Sequence, residues 1–175
     1  MNQPKVTLHK GKFFALVKEG HWEYVDRTNA TGAAIIVAVT DEQKLLLVEQ
    51  YRIPVHARTI ELPAGIIGDE PGSGDENHAD AARRELEEET GYRAERMEPL
   101  THGPASSGLT SETVTLFLAT KLRRVGKGGG VAHEQITVHE VPLNEVHDWL
   151  DTRAQAGFLI DSKVYAGLYF LKIRE

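Results

Sequence analysis

Residues 84–92 read Arg84-Glu85-Leu86-Glu87-Glu88-Glu89-Thr90-Gly91-Tyr92, and the rest of the chain can be placed around them. In a helix, residues three and four apart share a face, so Glu85, Glu88 and Glu89 point in much the same direction. Three carboxylates in one place repel one another unless a cation sits among them. Hard divalent ions such as Mg²⁺ take oxygen ligands and often arrive with substrate phosphates. The run therefore predicts a helix that holds metal against a phosphate ester or anhydride. A solvated acidic helix face is the plainer reading of the same glutamates taken alone.

The flanking residues fit a helix. Asn77 is a suitable N-cap, Asp80 adds negative charge in the first turn, and Gly91 stands where a helix C-terminus favours glycine. Ala82 and Leu86 are expected to face a core, and Glu76, about two turns before Arg84, is expected at the start of the same helix. Upstream stands Glu61-Leu62-Pro63-Ala64-Gly65.

Together these residues resemble the Nudix hydrolase signature, G-x5-E-x7-R-E-U-x-E-E-x-G-U, with U a bulky aliphatic residue. Glu76, Arg84, Glu85, Leu86, Glu88, Glu89 and Gly91 match it in type and spacing. There are two departures. Ten residues rather than five separate Gly65 from Glu76, the extra ones forming a turn-rich and exposed loop over 68–75, and the last bulky position is Tyr92. Neither removes a ligand.

Composition sets outer bounds. The chain has 175 residues, 41% of them hydrophobic, which suits one domain with a small annex. It has no cysteine, so neither a disulfide framework nor a thiolate metal site is available, in keeping with a reducing cytoplasm. No apolar run reaches the length of a membrane span, and Met1 to Lys5 lack the apolar core of a signal peptide. A net charge of −6 argues against generic nucleic-acid binding. The eight histidines show no H-E-x-x-H spacing, which argues against zinc.

Short strands with turns at Gly11-Lys12 and Glu19-Gly20 are expected in the first thirty residues, at 6–8, 13–17 and 21–25, forming an N-terminal β annex over 1–30. The remainder, 31–175, is read as the catalytic domain. Ala33 to Val39 and Leu45 to Tyr51 are apolar runs joined by Asp41-Glu42-Gln43-Lys44, which predicts an antiparallel hairpin. Further strands are expected at 113–119 and 136–141, a mobile loop at 121–130, and helices opening at 142–145 and spanning 161–173. In the last helix Val164, Leu168 and Leu171 share one stripe. Helices interspersed with a mixed sheet give an α/β sandwich, and the Nudix resemblance implies the same α/β/α arrangement.

The likeness narrows within the superfamily. Val48-Glu49-Gln50-Tyr51-Arg52, Glu61 to Gly65, Gly108-Leu109-Thr110-Ser111-Glu112, His133-Glu134-Gln135-Ile136 and Asp161-Ser162-Lys163-Val164-Tyr165 resemble the ADP-ribose and nucleoside-diphosphate-sugar pyrophosphatases. That resemblance implies hydrolysis of a nucleotide-sugar pyrophosphate, with ADP-ribose giving AMP and ribose 5-phosphate. It implies Mg²⁺, with Mn²⁺ able to replace it, held by Glu85, Glu89, Glu88 and the backbone carbonyl of Ala64. Arg84 would orient the box carboxylates, and Glu76 belongs to the same catalytic set. Glu134 corresponds to the loop glutamate that serves as general base in related enzymes and reads equally as an ordinary loop carboxylate; Glu112 is the second candidate, for the water or for substrate binding, with a strand-end carboxylate as its alternative.

The resemblance places Trp22 as an adenine-stacking ring, and an indole offers the flat face this needs. Trp22 reads equally as packing. Arg27 and Arg52 would bind the diphosphate through bidentate guanidinium contacts, with surface charge as the alternative, and Gly108 belongs to the substrate loop. Trp149 is read as core. In related enzymes the annex exchanges across a homodimer. Where ADP-ribose pyrophosphatases carry a proline fifteen positions past the box, this chain has Ser107, which leaves room for sugars such as GDP-mannose. Hydrolysis of nucleoside triphosphates or dinucleoside polyphosphates, and a non-catalytic nucleotide sensor, are the competing readings.

Overall fold

A computed structural model describes residues 3–30, 32–68, 77–130 and 135–174. Three short strands come first: β1 (Lys5–Lys10), β2 (Phe14–Glu19) and β3 (Trp22–Arg27). They form an antiparallel sheet in the order β1-β2-β3. Beyond them, among the described residues, strands alternate with three α-helices.

β4 (Gly32–Ala38) is apolar on both faces because both are covered. Ala34, Ile36 and Ala38 join one core with Ala81, Ala82 and Leu86 of α1 (His78–Thr90). Ile35 and Val37 join a second core. That core also takes Leu45 and Leu47 of β5 (Lys44–Arg52), Val146 and Leu150 of α2 (Val146–Gln155), and Val164 of α3 (Ser162–Lys172). The period of two along β4 thus separates the two helical layers.

The remaining strands are β6 (Ala57–Glu61), β7 (Ala64–Ile67), β8 (Tyr92–Pro104), β9 (Thr113–Arg124), β10 (Thr137–Pro142) and β11 (Leu159–Ile160). They complete two four-stranded sheets, β7-β4-β9-β8 and β10-β5-β6-β11. β4 runs parallel to β9 and antiparallel to β7. This is the mixed α/β sandwich expected from the sequence.

Three sequence expectations need correction. β4 and β5 do not form a hairpin: they meet in a single bridge, Val39 to Leu45, and then enter different sheets. Each is instead an interior strand of its own sheet, β4 between β7 and β9 and β5 between β10 and β6. Residues 121–130 are not one loop either, since Lys121 to Arg124 continue β9. Beyond them Gly126 donates to the Gly91 carbonyl at 3.0 Å, Gly129 to Glu89 at 2.8 Å and Gly130 to Glu88 at 3.1 Å. The glycines thereby satisfy carbonyls that the end of α1 leaves open. Finally, Pro142 to Glu145 lead into α2 rather than forming its first turn.

The annex joins the body through the 105–112 segment. Val25 donates to the Leu109 carbonyl at 2.8 Å, and Ser111 donates to the Val25 carbonyl at 3.1 Å. Asp26 accepts a hydrogen bond from the Ser111 hydroxyl. Among the described residues no helix is long and apolar enough to cross a membrane.

Candidate active site

α1 is fixed at both ends. The Asn77 side chain accepts from the Ala79 N–H at 2.9 Å, and Gly91 closes the helix in the left-handed region at φ 75°. With Ala81, Ala82 and Leu86 turned into the core, the glutamate face lies over β7. Glu89 is almost fully buried, and its Oε2 accepts from the Ala64 N–H at 3.0 Å. Glu85 lies over Gly65 so closely that a Cβ there would sit 1.9 Å from its Cγ and Cδ. Arg84 donates to Glu85 at 2.9 Å and lies 3.7 Å from Glu88. The structure therefore brings Ala64, Arg84, Glu85, Glu88 and Glu89 together. Glu87 turns outward to a bidentate pair with Arg93 at 2.8 and 2.9 Å.

These residues fit a hard cation. The donors are all oxygen, Gly65 leaves the space Glu85 occupies, and Glu89 is already drawn to the Ala64 backbone. Among the described residues no three acidic or histidine side chains close into a finished cage.

A cleft of about 340 Å³ opens beside Ala64. Arg52, Glu61, Glu112, Asp161 and Lys163 line it. Arg52 makes a two-pronged contact with Glu61 at 2.8 and 2.7 Å, and the Thr59 hydroxyl donates to Glu61 at 2.5 Å. Burial works to raise the Glu61 carboxyl, but Arg52 and Thr59, with the field of Lys163, outweigh it and hold the group below the usual carboxylate value. Hydrogen bonding to Glu61 correspondingly raises Arg52.

Glu112 faces this cleft, and Arg27 donates to it at 2.5 Å. Arg27 also stacks over Phe14, 4.7 Å from the ring centre. A second cleft, of about 610 Å³, lies on the other side of the 105–112 segment, lined by His21, Trp22, Tyr24, Ser107, Gly108 and Ser111. Trp22 is 53% exposed and so is not part of this chain's core. Trp22 and Gly108 thus share a cleft separate from the one holding Arg52 and Glu112. Glu76 and Glu134 lie outside the described residues, as does most of the 68–75 loop.

Glu61, Asp161 and Lys163 do not stand out as site residues in the sequence. Their only signal there is membership of two motif phrases. What brings them together is β11, which pairs in parallel with β6 through Leu159–Thr59 and Ile160–Ile60.

A NUDIX domain model matches residues 30–160. The chain is 33% identical over 147 residues to the methanol dehydrogenase activator of Bacillus methanolicus, covering 82% of this chain and 74% of that protein. The same figures hold for the ADP-ribose pyrophosphatase of Bacillus subtilis strain 168. The GDP-mannose pyrophosphatase of Cronobacter sakazakii is 31% identical over 160 residues, covering 87% of this chain and 78% of its own. Among solved structures, one described as an ADP compounds hydrolase superposes with a TM-score of 0.74 at 19% identity, over 98% of this chain and 91% of its own. The chain belongs to the Nudix family.

Proposed function

We propose that this Nudix pyrophosphatase hydrolyses the pyrophosphate bond of ADP-ribose or a related nucleoside diphosphate sugar in a Mg²⁺-dependent reaction, releasing a nucleoside monophosphate and a sugar phosphate. The observation that carries this reading is the convergence of Glu85 and Glu89 on the Ala64-Gly65 backbone, beside a cleft bearing Arg52. The similarity to an ADP-ribose pyrophosphatase and a GDP-mannose pyrophosphatase supports the substrate class.

The Ala64 carbonyl, Glu85, Glu88 and Glu89 would hold the metal, which when bound neutralises phosphate charge and acidifies water. Arg84 keeps Glu85 and Glu88 in register. Arg52, steadied by Glu61, offers its exposed side to a phosphate oxygen. Glu134 is the first candidate to take a proton from the attacking water, and Glu112, held by Arg27, is the second, for the water or for substrate. Trp22, with Gly108 beside it in the separate 610 Å³ cleft, would stack the base there.

We further propose that residues 1–30 form a dimerisation annex and 31–175 the catalytic domain, in a cytoplasmic enzyme. Exposed Val6, Leu8, Phe14 and Leu16 give the annex the apolar surface that such a contact uses.

A substrate panel with Mg²⁺ tests the reading: ADP-ribose, GDP-mannose, UDP-glucose, ATP and diadenosine polyphosphates. Dominant turnover of one or more nucleotide sugars is expected. Preference for ATP or dinucleoside polyphosphates would overturn the substrate class, and no turnover at all would favour a nucleotide sensor.

A further inference from the structure

The last three residues of β3, Val25, Asp26 and Arg27, all take hold of the segment 105–112. Val25 brackets Thr110, donating to the Leu109 carbonyl at 2.8 Å and accepting from the Ser111 N–H at 3.1 Å. Asp26 accepts from the Ser111 hydroxyl. Arg27 donates to the Glu112 carboxylate at 2.5 Å. The other two annex strands stand behind these contacts. Lys5 of β1 donates to Asp26 at 2.5 Å. Phe14 of β2 is directly opposite Arg27 in the register and carries its guanidinium over the ring. Hydrogen bonds from Lys5 and then from Ser111 hold Asp26 below the usual carboxylate value, so it is an anionic acceptor.

The segment they grip is folded on itself and ends on Glu112. The Ser106 carbonyl accepts from the Leu109 and Thr110 N–H groups at 3.0 and 3.1 Å. Glu112 is then held by its N–H, its carbonyl and its carboxylate. The N–H donates to the Thr110 hydroxyl oxygen at 3.1 Å, and the carbonyl accepts from the Ala105 N–H at 2.9 Å. The carboxylate takes Arg27. Two of these three holds lead back to β3, one through Arg27 and one through Thr110, which Val25 brackets. A strap that only tied the annex to the body would need no grip on a carboxylate turned into the cleft beside Ala64. The Arg27 and Glu112 side chains are 17% and 19% exposed, and the annex's other ion pairs among the described residues, Lys5–Asp26 and Lys18–Glu23, are more open. Asp26 itself lines neither the 340 Å³ nor the 610 Å³ cleft, so anything it does for the reaction must pass through the segment.

We infer that Asp26 is a positioning residue for the hydrolysis: with Val25 and Arg27 it makes the annex a clamp on residues 109–112 that sets Glu112 in the catalytic cleft. A carboxylate that acts on water or on substrate must stand within hydrogen-bond reach of it, and it keeps that place only if the residues behind it are themselves fixed. Asp26 fixes Ser111, the residue before Glu112, and Lys5 fixes Asp26. The annex therefore takes part in the chemistry of its own chain, whether or not it also joins a second copy.

The inference rests on the proposed hydrolysis and on Glu112 taking part in it. ADP-ribose turnover with Mg²⁺ would be measured for the wild type, Asp26→Ala, Asp26→Asn, Glu112→Gln and the D26A/E112Q double variant, and amide hydrogen exchange for the wild type and D26A. Thermal unfolding would confirm that the variants fold. D26A should lower kcat about tenfold or more with KM within about twofold. D26N, which keeps an acceptor for Ser111, should recover most of that loss. In the E112Q background the same Asp26→Ala change should cost less than about twofold, because its effect passes through Glu112. The Ser111 and Glu112 amides of D26A should exchange at least about tenfold faster, with those of α1 unchanged. Equal losses in both backgrounds, wild-type kcat in D26A, or unchanged exchange would overturn the inference and leave the contacts as a tether. A raised KM at wild-type kcat would overturn it too, placing the effect on binding beside Ser111. If the wild type turned over no nucleotide sugar, yet D26A freed the Glu112 amide, the clamp would stand and the hydrolysis would fall.

Discussion

The Glu85 side chain occupies the volume that a Cβ on Gly65 would need, with its Cγ and Cδ both 1.9 Å from that position. Glycine at 65 is therefore demanded by a side chain twenty residues away rather than by its own backbone. Gly65→Ala must push Glu85 off β7 while leaving the core behind α1 in place. The expected result is a folded protein that loses about 1–3 kcal/mol of stability through overpacking and at least about 100-fold in turnover through misplacement of a carboxylate proposed to hold the metal. Activity assays on a variant verified by circular dichroism would check this; near-normal turnover would remove Glu85 from the metal site.

Glu89 is the buried member of the glutamate face and is tied to the Ala64 N–H at 3.0 Å. Glu89→Gln keeps an acceptor for that N–H but discards the charge. The fold should survive, the Mg²⁺ concentration for half-maximal rate should rise, and turnover should fall at least about 100-fold. A metal titration of rate separates this from a purely structural effect, which would lower the rate without moving the Mg²⁺ dependence.

Legibility in the sequence differs from element to element. α1 is legible because its cap, its core stripe and its glycine stop all agree. The apolar run at 33–39 identifies a strand but not its partners, since a strand buried on both faces carries no sign of which neighbours it takes. β8 has no clear signature at all. It is largely exposed, charged, and interrupted by Pro99 beside a register shift, as the edge strand of a sheet can be. The glycines at 126–130 read as mobility because composition cannot reveal a close approach: a Cβ on Gly128 would lie 2.3 Å from the Thr90 carbonyl carbon. The shared glutamate face is legible for the same reason as α1. The cleft opposite it is not, because a two-residue parallel pairing brings Lys163 to Glu61 across a hundred residues of chain.

The Glu61 carboxyl makes stability depend on acid pH. Its value in the folded protein lies below the ordinary 4.5, because Arg52, Thr59 and Lys163 outweigh the opposing effect of burial. A group lowered on folding binds fewer protons in the native state, so its stabilisation is present in full above about pH 4.5 and fades as pH falls through the folded value. Glu61→Gln should flatten that limb: its melting temperature should change less than that of the wild type between about pH 5 and pH 3. Parallel curves for the two proteins would show that Glu61 does not contribute to the linkage.

Gly91 is held at φ 75°, and a Cβ there would lie 2.4 Å from the Gly126 carbonyl oxygen and 2.7 Å from the Gly128 nitrogen. Gly91→Ala meets both a left-handed backbone and a backbone clash. It should cost roughly 2–4 kcal/mol, read as a lowered urea midpoint. The damage should extend to function, since Gly129 and Gly130 are bonded to the carbonyls of Glu89 and Glu88. A variant with wild-type stability would mean that the glycine segment can withdraw freely from the end of α1.

Tyr92 stands where the family signature takes an aliphatic residue, and its ring does the aliphatic work by packing into the α1 core. Its hydroxyl does something an aliphatic cannot: it donates to Glu140 of β10 at 2.7 Å. Burial first, then this hydrogen bond, pushes the phenol up to about 12, so it remains protonated through the physiological range. Glu140 is also approached by Arg124 at 3.5 Å and Lys44 at 3.7 Å, so removing the hydroxyl does not strand the carboxylate. Tyr92→Phe should therefore cost only about 1 kcal/mol, with no new pH dependence below about pH 9. Tyr92→Leu, which gives up ring volume as well, should cost more than Tyr92→Phe. If instead Phe proved as unstable as Leu, the hydroxyl rather than the packing would be what holds β10 to the end of α1, and thermal unfolding of the two variants side by side decides between them.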